Sequence, residues 1–204
     1  MAYEEPDLPV AGTPVSVANF GVKVRNSLIY LKSLGGGANP LELPIIASQP
    51  PLSGLTAAAV EVSQWGSATI KPQFYKILFD GAADEGRIWQ FNVPSSYVSL
   101  PKLVIQFHIP TADTAARTVI FKAQLACLTT ADTLMSAKEY DTANAGSTAI
   151  NGAAFYNEQQ TITLTNNSAM LANDFCSLVL WRDADVDTCV KDAIVTYVGL
   201  SMNV

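Results

Sequence analysis

Aspartates at 183, 185 and 187 alternate strictly within the stretch LWRDADVDTC, directly after an apolar run. Three carboxylates so spaced could ligate a calcium ion, form an acidic catalytic cluster, or solvate the tip of a hairpin. A calcium loop of the EF-hand kind needs glycine at its sixth position and a bidentate glutamate at its twelfth. Counted from Asp183, those positions hold Thr188 and Ile194, and the flanking segments read as strands instead of helices. A looser site made of Asp183, Asp185 and Asp187 with backbone carbonyls is the metal candidate that is left, set against a solvated hairpin loop as the favoured reading. In an extended segment the three carboxylates share one side, where their repulsion requires water or a cation. Arg182 and Lys191 are the neighbouring cations.

Other chemistry-bearing residues are sparse. Catalysis needs a nucleophile with a base, a carboxylate pair with separated pKa values, or a metal. His108 is the only histidine and shares a predicted strand face with Gln106, which reads as an exposed or rim position. Asp80, Asp84 and Glu85 could form a glycosidase-type pair, but they occupy the loop DGAADEG, whose glycines and acids are turn chemistry. The triple glycine at 35–37 lacks the GxxxxGK context of a phosphate loop and reads as a hinge. No catalytic residue and no cofactor is implied. Trp89 and Trp181 read as core, whereas Trp65, in SQWGSATIKP, is a candidate for an interface or a carbohydrate platform.

Composition bounds the partners. The 204 residues carry a formal net charge of −6, so no basic face exists to hold nucleic acid or an anionic membrane. The cysteines at 127, 176 and 189 are odd in number and without CxxC spacing, which argues against zinc and against a disulfide framework and predicts reduced, mostly buried thiols. The amino terminus MAYEEPDLPV has acids where a signal peptide carries positive charge, which predicts folding in a cytoplasm. Apolar stretches are all shorter than the roughly 20 residues of a membrane-spanning helix.

Two grammars divide the chain. Residues 1–58 hold seven of the eleven prolines and the triple glycine, and should be extended and edge-like. They are too apolar for a disordered tail, so Leu8, Val10, Phe20, Leu31, Leu34 and Ile45 must find a surface, as an arm clasping its own domain, a neighbouring subunit or another partner would. Residues 59–204 form the expected sandwich domain, in which, from about Phe74 onward, short β-branched and aromatic runs alternate with period two and end in Gly, Pro, Asn, Asp or Ser. About eight strands are predicted: 74–80, 87–93, 102–109, 117–128, a weak one near 134–139, 159–165, 175–182 and 193–202. A single helical turn is predicted at Pro94–Tyr97, and 141–154 reads as a low-complexity surface loop. The fold class is all-β, a jelly-roll-type antiparallel sandwich with an extended Pro-rich N-terminal arm.

Four stretches in this order, IWQFNVPSSYVSLPKLVIQF (88–107), FYNEQQTITLTNNSAML (155–171), LWRDADVDT (180–188) and AIVTYVGLSM (193–202), carry a resemblance to a group of small tailed-bacteriophage virion proteins that covers about residues 77–202. The resemblance implies a jelly-roll structural protein of the virion exterior, of the capsid decoration or cement type. Such proteins are usually homotrimeric and seated on the major capsid protein, and the RDAD loop in them is a recurring hairpin. A tail, baseplate or receptor-binding module, with carbohydrate recognition by Trp65 or by the 141–154 loop, is the alternative expectation. Neither reading includes an enzymatic activity.

Overall fold

Alternation of apolar and polar residues along each run builds strands with one buried face, and in the computed structural model these strands stack into two sheets. The structure describes residues 40–64, 69, 72–129 and 138–203. Its strands are β1 (Leu41–Glu42), β2 (Thr56–Ala57), β3 (Ala59–Gln64), β4 (Gln73–Phe79), β5 (Glu85–Asn92), β6 (Ser99–His108), β7 (Thr118–Leu128), β8 (Asn144–Ala149), β9 (Glu158–Thr163), β10 (Phe175–Arg182) and β11 (Ala193–Asn203). One sheet runs β3-β4-β11-β6-β9, with β1 also paired to β11; the other runs β2-β5-β10-β7-β8. From β4 to β11 the chain crosses between the sheets at every step except β7 to β8, and the two four-strand orders, β4-β11-β6-β9 and β5-β10-β7-β8, are those of a jelly roll. All pairings among these eight strands are antiparallel.

The core lies between the sheets. Leu103, Ile105 and Phe107 of β6 and Ile77 and Phe79 of β4 face Phe121 and Leu125 of β7 and Leu178 and Leu180 of β10, all fully buried. The ring of Phe121 stands edge-on to both Phe79 and Phe107, each at 5.4 Å between centroids, in the orientation that aromatic quadrupoles favour. Trp89 joins this core as expected, whereas Trp181, of opposite parity to Leu180, is only half-buried.

The weak strand expected near 134–139 falls mostly outside the described residues. The strand observed in that part of the chain is β8, within the stretch expected to be a surface loop. Its residues, NAGSTA, have little β propensity, and their smallness is what places them. A Cβ on Gly146 would meet the side chain of Gln160 and would lie 2.9 Å from Ile162, so β9 of the opposite sheet packs directly on the β8 backbone. The expected turn at Pro94–Tyr97 is present, closed by the Tyr97 amide on the Pro94 carbonyl at 3.0 Å.

The boundary expected near residue 58 is corrected. Residues 40–58 belong to the compact unit that begins at Pro40. Extended in part, with a 3-10 turn at Ile45–Ala47, they lie against their own sandwich: β1 pairs with β11, β2 with β5 in parallel, and Gln49 bridges to Ile88. Arg87 stitches the segment down, its guanidinium donating to the Ser48 hydroxyl at 3.0 Å, the Ser48 carbonyl at 2.7 Å and the Ala58 carbonyl at 3.3 Å. The Trp89 indole donates to the Pro44 carbonyl at 3.0 Å. The 3-10 turn Ile45–Ala47 that follows Pro44 directs Ile45 into the core. Ile45 is therefore a core residue and not a contact for a neighbour. Leu8, Val10, Phe20, Leu31 and Leu34 of the expected arm, and Trp65, lie outside the described residues.

The cysteine reading is corrected as well. Cys127 of β7 and Cys176 of β10 are register partners on the inner faces of adjacent strands and form a disulfide, with Cα atoms 4.1 Å apart. Cys189 is free and buried.

Candidate functional site

On the outer face of the β3-β4-β11-β6-β9 sheet the residues of opposite parity to the core line a groove of about 550 Å³. Phe74 and Lys76 come from β4, Gln106 and His108 from β6, Ile194 and Thr196 from β11, Ser63 and Gln64 from β3, and Phe155 and Asn157 from the segment before β9. Strand register makes the alignment: Ile194 lies between His108 and Leu78, Ser63 opposite Phe74, and Glu61 opposite Lys76. A β-bulge between Val195 and Tyr197 resets the parity of β11, so that Val195 and Val198 both point into the core while Thr196 remains at the groove. Such an insertion re-aims a side chain without ending the strand.

Phe155 is the most unusual member. Its φ is +59°, a left-handed conformation that is a genuine outlier for a bulky side chain, and the residue is 70% exposed. The surroundings impose it. The Phe155 amide donates to the Ile109 carbonyl at 2.8 Å, and the Asn151 amide to Glu158 Oε1 at 2.7 Å. Gly152, at φ +89°, accepts from the Asp113 amide at 3.0 Å, and a Cβ there would lie 2.8 Å from the Asp113 carbonyl oxygen and the Ala115 amide. Thus the loop is fixed at both ends, and Phe155 is held beside His108 with ring centroids 5.6 Å apart.

Electrostatically the groove is mild. Burial, and then the nearby Lys76, push the His108 pKa below the usual imidazole value, so at neutral pH His108 is uncharged and offers one donor and one acceptor. Lys76 pairs with Glu61 at 3.3 Å. Amides at 64, 106 and 157, hydroxyls at 63 and 196, and rings at 74, 108 and 155 make up most of the remaining lining. This set can bind a polar, ring-shaped ligand by hydrogen bonds at its edge and contact at its face.

The residues singled out in the sequence do other work. Arg182, fully buried, donates from Nε to Asp187 Oδ2 at 2.6 Å, from one terminal nitrogen to the Lys191 carbonyl at 2.6 Å, and from the other to the Cys189 carbonyl. Asp183 pairs with Lys122 at 2.6 Å, its amide donates to the Ile120 carbonyl, and its carbonyl accepts from the amides of Val186 and Asp187. Asp185 is exposed. The three carboxylates therefore diverge, two onto separate cations and one into solvent, and the loop that carries them is not the expected hairpin but a crossover, because β10 and β11 lie in different sheets. Asp80 Oδ1 accepts from the Ala82 amide, Glu85 Oε2 from the Asp80 amide, and Asp84 Oδ1 from the Ala184 amide, all within 2.9 Å. These acids brace turns. His108 and Gln106 share a face as alternation predicts, but that face is a groove and not a rim; Phe155 and Thr196 carry no signal in the sequence that singles them out.

No protein-family model and no curated protein matches the chain. Among solved structures it is similar to the CBM22-2 xylan-binding domain of Xyn10C from Paenibacillus barcinonensis, with 13% identity, a TM-score of 0.40, and coverage of 76% of this chain and 91% of that one. It is also similar to the enzymatically active domain of a tailspike protein of bacteriophage CBA120, with 7% identity, a TM-score of 0.42, and coverage of 78% of this chain and 20% of that one. A third is the conserved carbohydrate esterase of the Shiga toxin-encoding bacteriophage phi24B, with 12% identity, a TM-score of 0.34, and coverage of 83% of this chain and the whole of that one. With every TM-score below 0.5 these likenesses carry no argument, and the site rests on its own residues.

Proposed function

We propose that the chain is a non-enzymatic binding module whose outer-face groove takes a saccharide. The observation that carries this reading is Phe155, a strained and rigidly anchored loop residue that presents an exposed ring beside a floor of amides and hydroxyls. A sugar ring has an apolar C–H face and a rim of hydroxyls that both donate and accept. An aromatic face fits the first, and the side-chain amides of Gln64, Gln106 and Asn157, each with donors and an acceptor, fit the second. Backbone strain held by surrounding structure is the mark of a positioned functional group. The acids that an enzymatic reading would need are engaged in turn amides on other loops, which supports binding without turnover.

The test is retention of wild-type protein and the Phe155→Ala variant on a glycan array. The wild type is expected to retain a defined saccharide class, and the variant to lose about tenfold or more in affinity while melting at the same temperature, because its ring is exposed in the free protein. Equal retention by both proteins would remove Phe155 from the site, and no retention by the wild type would remove the saccharide.

A second reading, a decoration protein on a phage capsid, is supported by the four-stretch resemblance and by apolar side chains left in solvent. Val98, Leu100, Leu171 and Phe175 are all exposed, on segments that meet at one end of the sandwich, where the Val93 amide bonds the Asp174 carbonyl and Phe175 pairs with Asn92. Exposed apolar groups in one region fit a protein partner. In this reading the chain is a homotrimer on the major capsid lattice, tested by its mass in solution and by rebinding to particles stripped of it; a monomer that ignores capsids would end it.

A further inference from the structure

We infer that the saccharide bound in the groove is an acidic one, bearing a carboxylate or sulfate, with Lys76 as its counter-charge; this rests on the saccharide reading above. Among the described residues that line the groove, Lys76 is the one fixed cation, and neither aspartate nor glutamate occurs among them. That local balance runs against the whole chain, whose net charge of −6 repels anions. A neutral ligand would need no such exception.

Lys76 is placed for the role. Its side chain is 16% exposed, on a strand flanked by β3 and β11, so its position is narrowly set. Its partner Glu61 is 52% exposed and directly opposite on the outer strand β3. An ion pair with so solvated a partner contributes little, and Glu61 can swing into water when another anion arrives. The incoming acid group would then gain a charge-assisted hydrogen bond from the ammonium, in a site partly shielded from solvent. Uncharged His108 and the amide of Gln106 stand beside it to orient the same group without adding repulsion. Selectivity for charge accordingly depends on Lys76, and Glu61 acts as a built-in competitor.

The experiment measures binding of the full chain, and of its Lys76→Gln and Glu61→Gln variants, to uronate-bearing, sialylated, sulfated and uncharged saccharides on one array, followed by calorimetry on the ligands retained. Expected is that the retained saccharides carry an acid, that Lys76→Gln weakens them about tenfold, to the level of their uncharged counterparts, and that Glu61→Gln tightens acidic ligands a few-fold without changing uncharged ones. The array itself tells carboxylate from sulfate. Uncharged saccharides bound as tightly as acidic ones, or acidic ligands indifferent to Lys76→Gln, would overturn the inference and leave the saccharide reading standing. Retention of no saccharide would overturn both. Should Lys76→Gln fold poorly, the exposed Glu61→Gln variant decides alone: no gain for acidic ligands would overturn the inference.

Discussion

Replacing Asp187 by alanine is expected to cost the fold about 3–5 kcal/mol, the range for removing one partner of a buried ion pair. Both partners are out of water: Arg182 is 0% and the Asp187 side chain 1% exposed. The asymmetry between them sharpens the expectation. A guanidinium stays charged at any accessible pH, so without Asp187 its charge is compensated only by the carbonyls of Cys189 and Lys191. A carboxyl deprived of Arg182 can instead take up a proton, so Arg182→Met should be less costly at low pH than at neutral pH, whereas Asp187→Ala should not recover on acidification. Urea unfolding of both variants at two pH values checks this. A loss below about 1 kcal/mol for Asp187→Ala would mean that the loop is held by its backbone bonds to β7 alone.

Breaking the Cys127–Cys176 disulfide is expected to cost about 4 kcal/mol, the chain-entropy value for a closed loop of 49 residues. The cleanest comparison is the wild type oxidised and fully reduced, because the two sulfurs stay in the core and no cavity is made. The reduced protein should unfold at a markedly lower urea concentration, and a Cys127→Ala, Cys176→Ala variant should be insensitive to reductant. Under denaturing, non-reducing conditions one thiol per chain, Cys189, should react. Identical midpoints with and without reductant would mean that the strands β7 and β10 are already held in register without the bond.

Why the disulfide was not legible in the sequence is instructive. Spacing of cysteines excludes a zinc knuckle, but their pairing depends on β7 and β10 being neighbours in register, and periodicity is silent on strand order. The same limit applies to β8, whose small residues are explained only by the approach of β9. Conversely, the strands β4 to β7 and β9 to β11 are legible because each alternates with period two against a shared core. The RDAD loop is legible only in part: Arg182 is the adjacent cation for Asp187, but the pairing of Asp183 with Lys122 of β7 and the crossing to the other sheet depend on strand order. The groove is half legible. Alternation puts Gln106 and His108 together on the outer face of β6, but Thr196 reaches it through a bulge and Phe155 through a positive φ, and neither is written in hydrophobic pattern. Residues 40–47 read correctly as apolar and in need of a surface, but not as extended throughout, since Ile45–Ala47 form a 3-10 turn; that the surface is their own sandwich follows from Arg87 and Trp89, which sequence gives no reason to link to Ser48 and Pro44.

The measurement that tests the groove most directly is an amide chemical-shift map of the full chain during titration with the saccharide best retained on the array. A binding groove on the outer face predicts that the shifts concentrate at 63–64, 74–76, 106–108, 155–157 and 194–196, and that the amides along β5, β7 and β10 of the opposite sheet stay in place. Shifts gathered instead on that opposite sheet, or at the end of the sandwich around Val98, Leu100 and Leu171, would contradict it.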